Sequence, residues 1–185
     1  MSKDKTEVLR LPRKHAPKVR REVTAEDGRQ LVEEQSLARA IIAGLVAVVV
    51  FAVLWSMLSA LVSRVFPWLT LLLGILVGLV VRRAGHGIDW RFPVTAAVIA
   101  LAGALAGNVV VAATFTAADF GTGTLRVLGA VTAMTWPVFF TEVMTPADII
   151  YGLFAGAIAA FYAQRRLTRA EYLALRRFEE GHDGA

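Results

Sequence analysis

Residues 93–114 read PVTAAVIALAGALAGNVVVAAT, a run without a single charge in which Gly103 and Gly107 stand four positions apart. A run of this length and polarity crosses the roughly 30 Å hydrocarbon core of a bilayer as a helix of about 20 residues. Its glycine pair predicts how that helix packs. Lipid supplies no hydrophobic drive between helices, so they associate where small residues let two backbones approach. The same spacing recurs along the chain: of the seven glycines in the strongly apolar stretches, six fall in such pairs, Gly74 with Gly78, Gly103 with Gly107, and Gly152 with Gly156. Thr70 extends the first stripe, Ala96 and Ala100 the second, Ala160 and Ala163 the third. These six glycines are the predicted helix-packing residues, with Leu101, off the stripe, expected to face lipid.

Working outward, four stretches meet the length and polarity of a span: 37–62, 65–81, 93–114 and 146–164. The chain has 185 residues, of which 56% are hydrophobic, and a mean hydropathy of +0.57, too apolar for a soluble domain of this size. The apolar runs are continuous and lack the alternation of a membrane barrel strand, so the spans are helices. The fold class is therefore an all-α membrane protein with four transmembrane helices. Residues 1–36 form a basic tail with a short juxtamembrane helix, 37–164 the bundle, and 165–185 a C-terminal helix and tail. The polar stretch before the first span is too long for the charged start of a secretory signal, so that span is expected to stay attached.

Charge orients the bundle. Eighteen of the twenty Lys and Arg lie in the N-terminal tail and the first turn of the first span, in 82–91, or after the last span; Arg64 and Arg126 are the other two. Basic residues near span ends stay cytoplasmic, which places both termini and the 82–91 loop inside. The stretch 127–140, VLGAVTAMTWPVFF, is apolar but short and broken by Pro137. Were it to cross, Arg165, Arg166 and Arg169 would end outside. It is expected instead as an outer interfacial or re-entrant segment between helices 3 and 4, with Trp136 and Phe139 dipping into lipid or the bundle mouth.

Local signals mark the ends. Thr24 with Asp27, and Thr168 with Glu171, have capping-box spacing, predicting a juxtamembrane helix that runs into the first span and a C-terminal helix over 169–178 that ends before Gly181. Thr145, Pro146 and Asp148 open the fourth span with a capping hydroxyl, a first-turn proline and a carboxylate on the positive end of the helix dipole. Trp55 and Trp68 are expected to bracket the outer turn at headgroup level, with Pro67 starting the second helix.

The chemistry-bearing residues are few. There is no cysteine, which excludes disulfides, thiolate metal sites, thiol nucleophiles and palmitoylation. No ionisable residue falls at mid-membrane, where one would mark an ion or proton path. Asn108 is the best candidate for lining a cavity, and the simpler reading is a polar contact to a neighbouring helix. His86 beside Asp89 lacks the further ligands of a metal site. Asp119, Glu142 and Asp148 are the outer acids, and Asp148 already serves as a helix-start residue. No nucleophile with a base can be assembled, so no catalytic residue, metal or cofactor is expected.

Two basic features remain. In 82–91, Arg82 and Arg83 beside two glycines could hold a lipid phosphate or simply anchor the loop. In 10–21, Arg10, Arg13, Lys14, Lys18, Arg20 and Arg21 stand without an acid between them. No aromatic residue interleaves them, so anionic lipid or an acidic protein surface is a better partner than nucleic acid.

The segments AIIAGLVAVVVFAVLW, LLLGILVGLVVRRAGHG, AVIALAGALAGN and MTPADIIYGLFAGAIAAFYAQRR, in that order over 38–166, resemble a family of small bacterial four-helix integral membrane proteins of unknown function. Some of its members carry a cysteine-rich zinc module in front, where this chain has a cysteine-free basic tail. The resemblance implies a multi-pass protein of the bacterial inner membrane and no particular chemistry. The expected function is a non-catalytic accessory, scaffold or assembly protein whose partners are lipids and another membrane protein or a second copy. The alternative is a small oligomeric channel or transporter for a neutral solute or lipid.

Overall fold

A computed structural model describes residues 24–130 and 135–182. Among them every regular element is a helix: α1 (Ala25–Glu33), α2 (Leu37–Val62), α3 (Leu69–Gly85), α4 (Arg91–Asp119), α5 (Thr124–Ala130), α6 (Trp136–Val143), α7 (Pro146–Ala163) and α8 (Arg169–His182). Three of these, α2, α4 and α7, are long and apolar enough to cross a membrane. At 17 residues, α3 measures about 26 Å along its axis.

The four apolar helices form one bundle. α3 and α4 touch and fill its middle, while α2 and α7 lie on opposite flanks, each against both. Facing residues give the directions. Gly44, Gly103 and Gly107 of the α2–α4 seam meet Ile99, Val48 and Trp55 in rising order, so these two run parallel. Gly74 and Gly78 meet Ala155 and Ala159, so α3 and α7 also run parallel. Gly44 beside Val81 and Gly156 beside Ala97 set the two pairs antiparallel.

The side chains are sorted in the reverse of a soluble bundle. The core is rich in small residues, Ala40, Ala96, Ala100, Ala104, Ala155, Ala159 and Ala163, while large ones such as Ile42, Val49, Val98, Leu153 and Phe161 stand exposed. Ile42 is 63% exposed and Val49 62%. In water such a contiguous apolar flank would be costly; in lipid it needs no cover.

Several boundaries differ from the sequence reading, each for a local reason. α1 carries the Thr24–Asp27 capping box but does not run into α2. Ser36 breaks the chain there, accepting at its side chain from the Arg39 N–H, while its own N–H donates to the Gly85 carbonyl at 2.9 Å. α3 starts at Leu69 rather than 65, because tight turns around Pro67 place the Thr70 hydroxyl on the Pro67 carbonyl at 2.7 Å. It continues to Gly85, where His86 takes a left-handed cap with φ of 49°. α4 outruns 93–114 at both ends and stops before Gly121, whose φ of 62° suits glycine. α8 passes through Gly181 to His182.

Between α4 and α7, α5 and α6 touch the bundle, among the described residues, only through α4. Residues 131–134 and the side chain of Phe139 lie outside the described residues. α5 buries no side chain, and Trp136 and Val138 of α6 are exposed.

Candidate functional site

The candidate packing residues sit on three seams inside the chain. A Cβ added to Gly74 would strike the Ala155 carbonyl oxygen, and one on Gly78 would stand 2.6 Å from that of Ala159, so α3 and α7 meet backbone to backbone. On the α2–α4 seam a Cβ at Gly103 would lie 2.7 Å from Val48 Cγ2, and one at Gly107 would lie 2.9 Å from the Trp55 ring. The α4–α7 seam is looser: Gly156 would place a Cβ 3.2 Å from the Ala97 carbonyl oxygen and Gly152 3.3 Å from Leu101 Cδ1. Leu101 therefore faces α7 and not lipid. Glycine spacing marks a face of a helix but not its partner, which is why Ala155 and Ala159, the receivers of the tightest contacts, carried no signal of their own.

Trp55 also departs from its expected place at headgroup level. Its ring lies over Gly107 and is 2% exposed, in a cluster with Leu69 and Val111 flanked by Phe51, Phe66 and Phe115. The flat space left by the missing glycine side chain draws the ring inward, while Trp68 stays half exposed. Beside this cluster is the strongest polar feature of the bundle. Asn108 Nδ2, Trp55 Nε1 and Ser59 Oγ are buried without a hydrogen-bond partner, although such groups are ordinarily paired. Ser56 instead bonds the Ala52 carbonyl of its own helix, and Thr70 the Pro67 carbonyl in the turn before α3.

The opposite end of the bundle carries the basic residues. Here the start of α2, the α3–α4 turn and the end of α7 are tied together. The Ile88 N–H donates to Gln35 Oε1 at 3.3 Å, Arg165 Nη1 donates to the His86 carbonyl at 3.4 Å, and Arg165 Nη2 donates to Glu171 Oε1 at 2.8 Å. Glu171 is held below the usual carboxylate range, first by the Thr168 N–H, then by the Thr168 hydroxyl and by Arg165. Beyond this clamp α1 and α8 pack on one another: Gly28 lies against Ala174, so close that a Cβ there would strike the Ala174 carbonyl. Neither helix taken alone shows this pairing; the small residue that permits it is a lone glycine in a polar segment.

Arg82 and Arg83 close α3 with exposed side chains. A cavity of about 440 Å³ lies between Arg39, Ile42 and Ala43 of α2 and Arg83, Ala84 and His86 at the end of α3. A smaller one, about 250 Å³, is lined by Arg82, Phe161, Tyr162, Gln164 and Arg166. The tail residues Arg10, Arg13, Lys14, Lys18, Arg20 and Arg21 lie outside the described residues. Asp148 closes the Thr145 capping box, with its carboxylate accepting from the Thr145 N–H at 2.9 Å. Among the described residues no group of three metal-ligating side chains converges.

Together the elements make an all-helical protein with three helices long and apolar enough to cross a membrane, one end rich in arginine, and outward apolar flanks. Comparison with known protein families, with curated proteins and with solved structures finds no match to the chain.

Proposed function

We propose that this chain is a four-span protein of the bacterial inner membrane, with α2, α3, α4 and α7 crossing and both termini cytoplasmic. In this reading α5 and α6 lie at the outer interface or re-enter it, and the chain works as a non-catalytic accessory, scaffold or assembly protein. The observation that carries the reading is the division of its surfaces. The glycine and alanine seams are consumed within the chain, the large apolar side chains of α2 and α7 point outward, and a polar helix pair is clamped to the arginine-rich end. That is a rigid unit offering a lipid-facing or partner-facing flank on each side and a charged platform beneath. The α3 axis is short for a span, but Arg82 and Arg83 at its end can reach upward to the interface, which accommodates the mismatch.

The test is cross-linking in native membranes followed by purification. A second membrane polypeptide in fixed ratio, with cross-links mapping to the outward faces of α2 or α7, is the expected result. A lone monomer would contradict it.

One observation favours a second reading, the small oligomeric channel or transporter for a neutral solute or lipid. The buried donors of Trp55, Ser59 and Asn108 have no hydrogen-bond partner within the chain, and water or a neutral solute admitted to the bundle would supply one. A self-assembled ring that passes a neutral solute in proteoliposomes, and loses that flux in Asn108→Leu, would establish this reading over the first.

A further inference from the structure

The cavity between the start of α2 and the end of α3 has two walls of different chemistry. It is open to the surface, and its lining is cationic at Arg39 and Arg83, beside His86, and apolar at Ile42, Ala43 and Ala84. Among the described residues neither arginine has a carboxylate partner; Arg39 Nη2 donates only to the Glu34 carbonyl, at 3.3 Å. A guanidinium carries five N–H donors in a planar fork, so donors on both arginines remain for an anion.

The apolar lining does not end at the cavity. Ile42, Val46, Val49 and Val53 follow one another at helical spacing along α2, and all four are exposed. From Ile42 to Val53 this stripe covers about 17 Å of helix axis, close to the roughly 15 Å depth of one leaflet's hydrocarbon. A site with cationic donors at its head and one leaflet of exposed apolar helix below it matches a molecule with an anionic head and an acyl tail.

We infer that the α2–α3 cavity is a binding site for an anionic phospholipid, its phosphate held between Arg39 and Arg83 and an acyl chain laid along Ile42, Val46, Val49 and Val53. The inference rests on α2 lying in a membrane and not on the accessory role. Free phosphate would satisfy the arginines but would leave the apolar stripe without purpose. The lipid fills both walls, and it would stiffen the joint at which the α2 start meets the α3–α4 turn.

The test uses the full chain in detergent with Arg10, Arg13, Lys14, Lys18, Arg20 and Arg21 changed to Gln, so that the tail does not compete. Bound phosphatidylglycerol and phosphatidylcholine are counted by native mass spectrometry. With each basic residue near the surface contributing on the order of fivefold, Arg39→Gln with Arg83→Gln should weaken phosphatidylglycerol binding about 30-fold. Arg64→Gln, at the other end of the bundle, should leave it unchanged, and Arg39→Lys with Arg83→Lys should retain most of it. If the double Gln variant fails to accumulate, Arg83→Gln alone should cost about fivefold. Equal binding of the two lipids, equal binding by the Gln variant, or displacement of the lipid by an equal concentration of inorganic phosphate would each overturn the site. Failure of the chain to enter membranes at all would instead remove the reading on which it rests.

Discussion

At the scale of single residues, the atom that faces each glycine decides how much change it tolerates. Gly74 and Gly78 face backbone carbonyls of α7, which cannot turn aside, whereas Gly152 faces the flexible end of Leu101. Alanine at Gly74 or Gly78 should therefore lower stability in detergent by about 1–3 kcal/mol, the usual cost of overpacking a tight contact. Alanine at Gly152 should cost little, and Ala106→Leu, on an exposed face of α4, should cost nothing measurable. Thermal unfolding of the four variants checks the order, and equal tolerance at all of them would contradict it. The paired spacing of these glycines was readable in the sequence, but the ranking among them was not. It depends on whether the neighbour across the seam offers a carbonyl, a valine methyl or a leucine tip, and nothing local to Gly74 records that Ala155 lies opposite. Trp55 shows the same limit, because an aromatic ring near a span end satisfies a headgroup position and a glycine pocket equally well until the partner helix is known.

At the scale of elements, helix starts were the most legible feature. Thr24 with Asp27, Thr145 with Asp148, and Thr168 with Glu171 each form the reciprocal bonds that their spacing implies, since a capping box is closed within four residues and needs no tertiary information. Helix ends were less legible. α3 gains a turn at its end because His86 accepts a left-handed conformation, and α8 keeps Gly181 within its last turn. The clamp from α7 to α8 was invisible, because Arg165 meets Glu171 only once the chain between them has turned. That clamp makes α8 pH-sensitive. The Glu171 carboxylate sits below its ordinary range in the folded protein, so its contribution is complete above the unfolded-state value, about 4.3, and is lost as pH falls through the lowered folded value. Amide exchange in α8 should accelerate as pH drops below that range, beyond the intrinsic pH effect, and Glu171→Gln should show the faster exchange already at neutral pH. Identical protection of α8 in both proteins would contradict the clamp. The basic segment before α1 is a separate element with its own test. A peptide of residues 8–23 should bind vesicles of anionic lipid, release as salt screens its charges, and ignore neutral vesicles. Salt-insensitive binding would remove the electrostatic role.

At the scale of the whole molecule, composition and hydropathy carried the class of fold, and the outward apolar flanks of α2 and α7 agree with it. The arrangement of four helices with α3 and α4 in the middle did not follow from the spans. It follows from which faces are narrow enough to touch: α3 turns Gly74 and Gly78 to α7, while α4 turns Gly103 and Gly107 to α2 and Ala97 and Ala104 to α7. In the proposed orientation the charge asymmetry sets the cytoplasmic end, with Arg39, Arg82, Arg83 and Arg165 gathered there and Arg64 and Arg126 away from it. The central proposition is that all four helices cross, the short α3 included. Because the chain has no cysteine of its own, single cysteines at the exposed positions Arg64, Asp89, Thr122 and Glu180 report sidedness without background. In intact bacterial cells, an impermeant thiol reagent should label Arg64→Cys and Thr122→Cys and spare Asp89→Cys and Glu180→Cys until the membrane is opened. Labelling of Asp89→Cys together with Arg64→Cys in intact cells would show that α3 does not cross, and the four-span arrangement would fall.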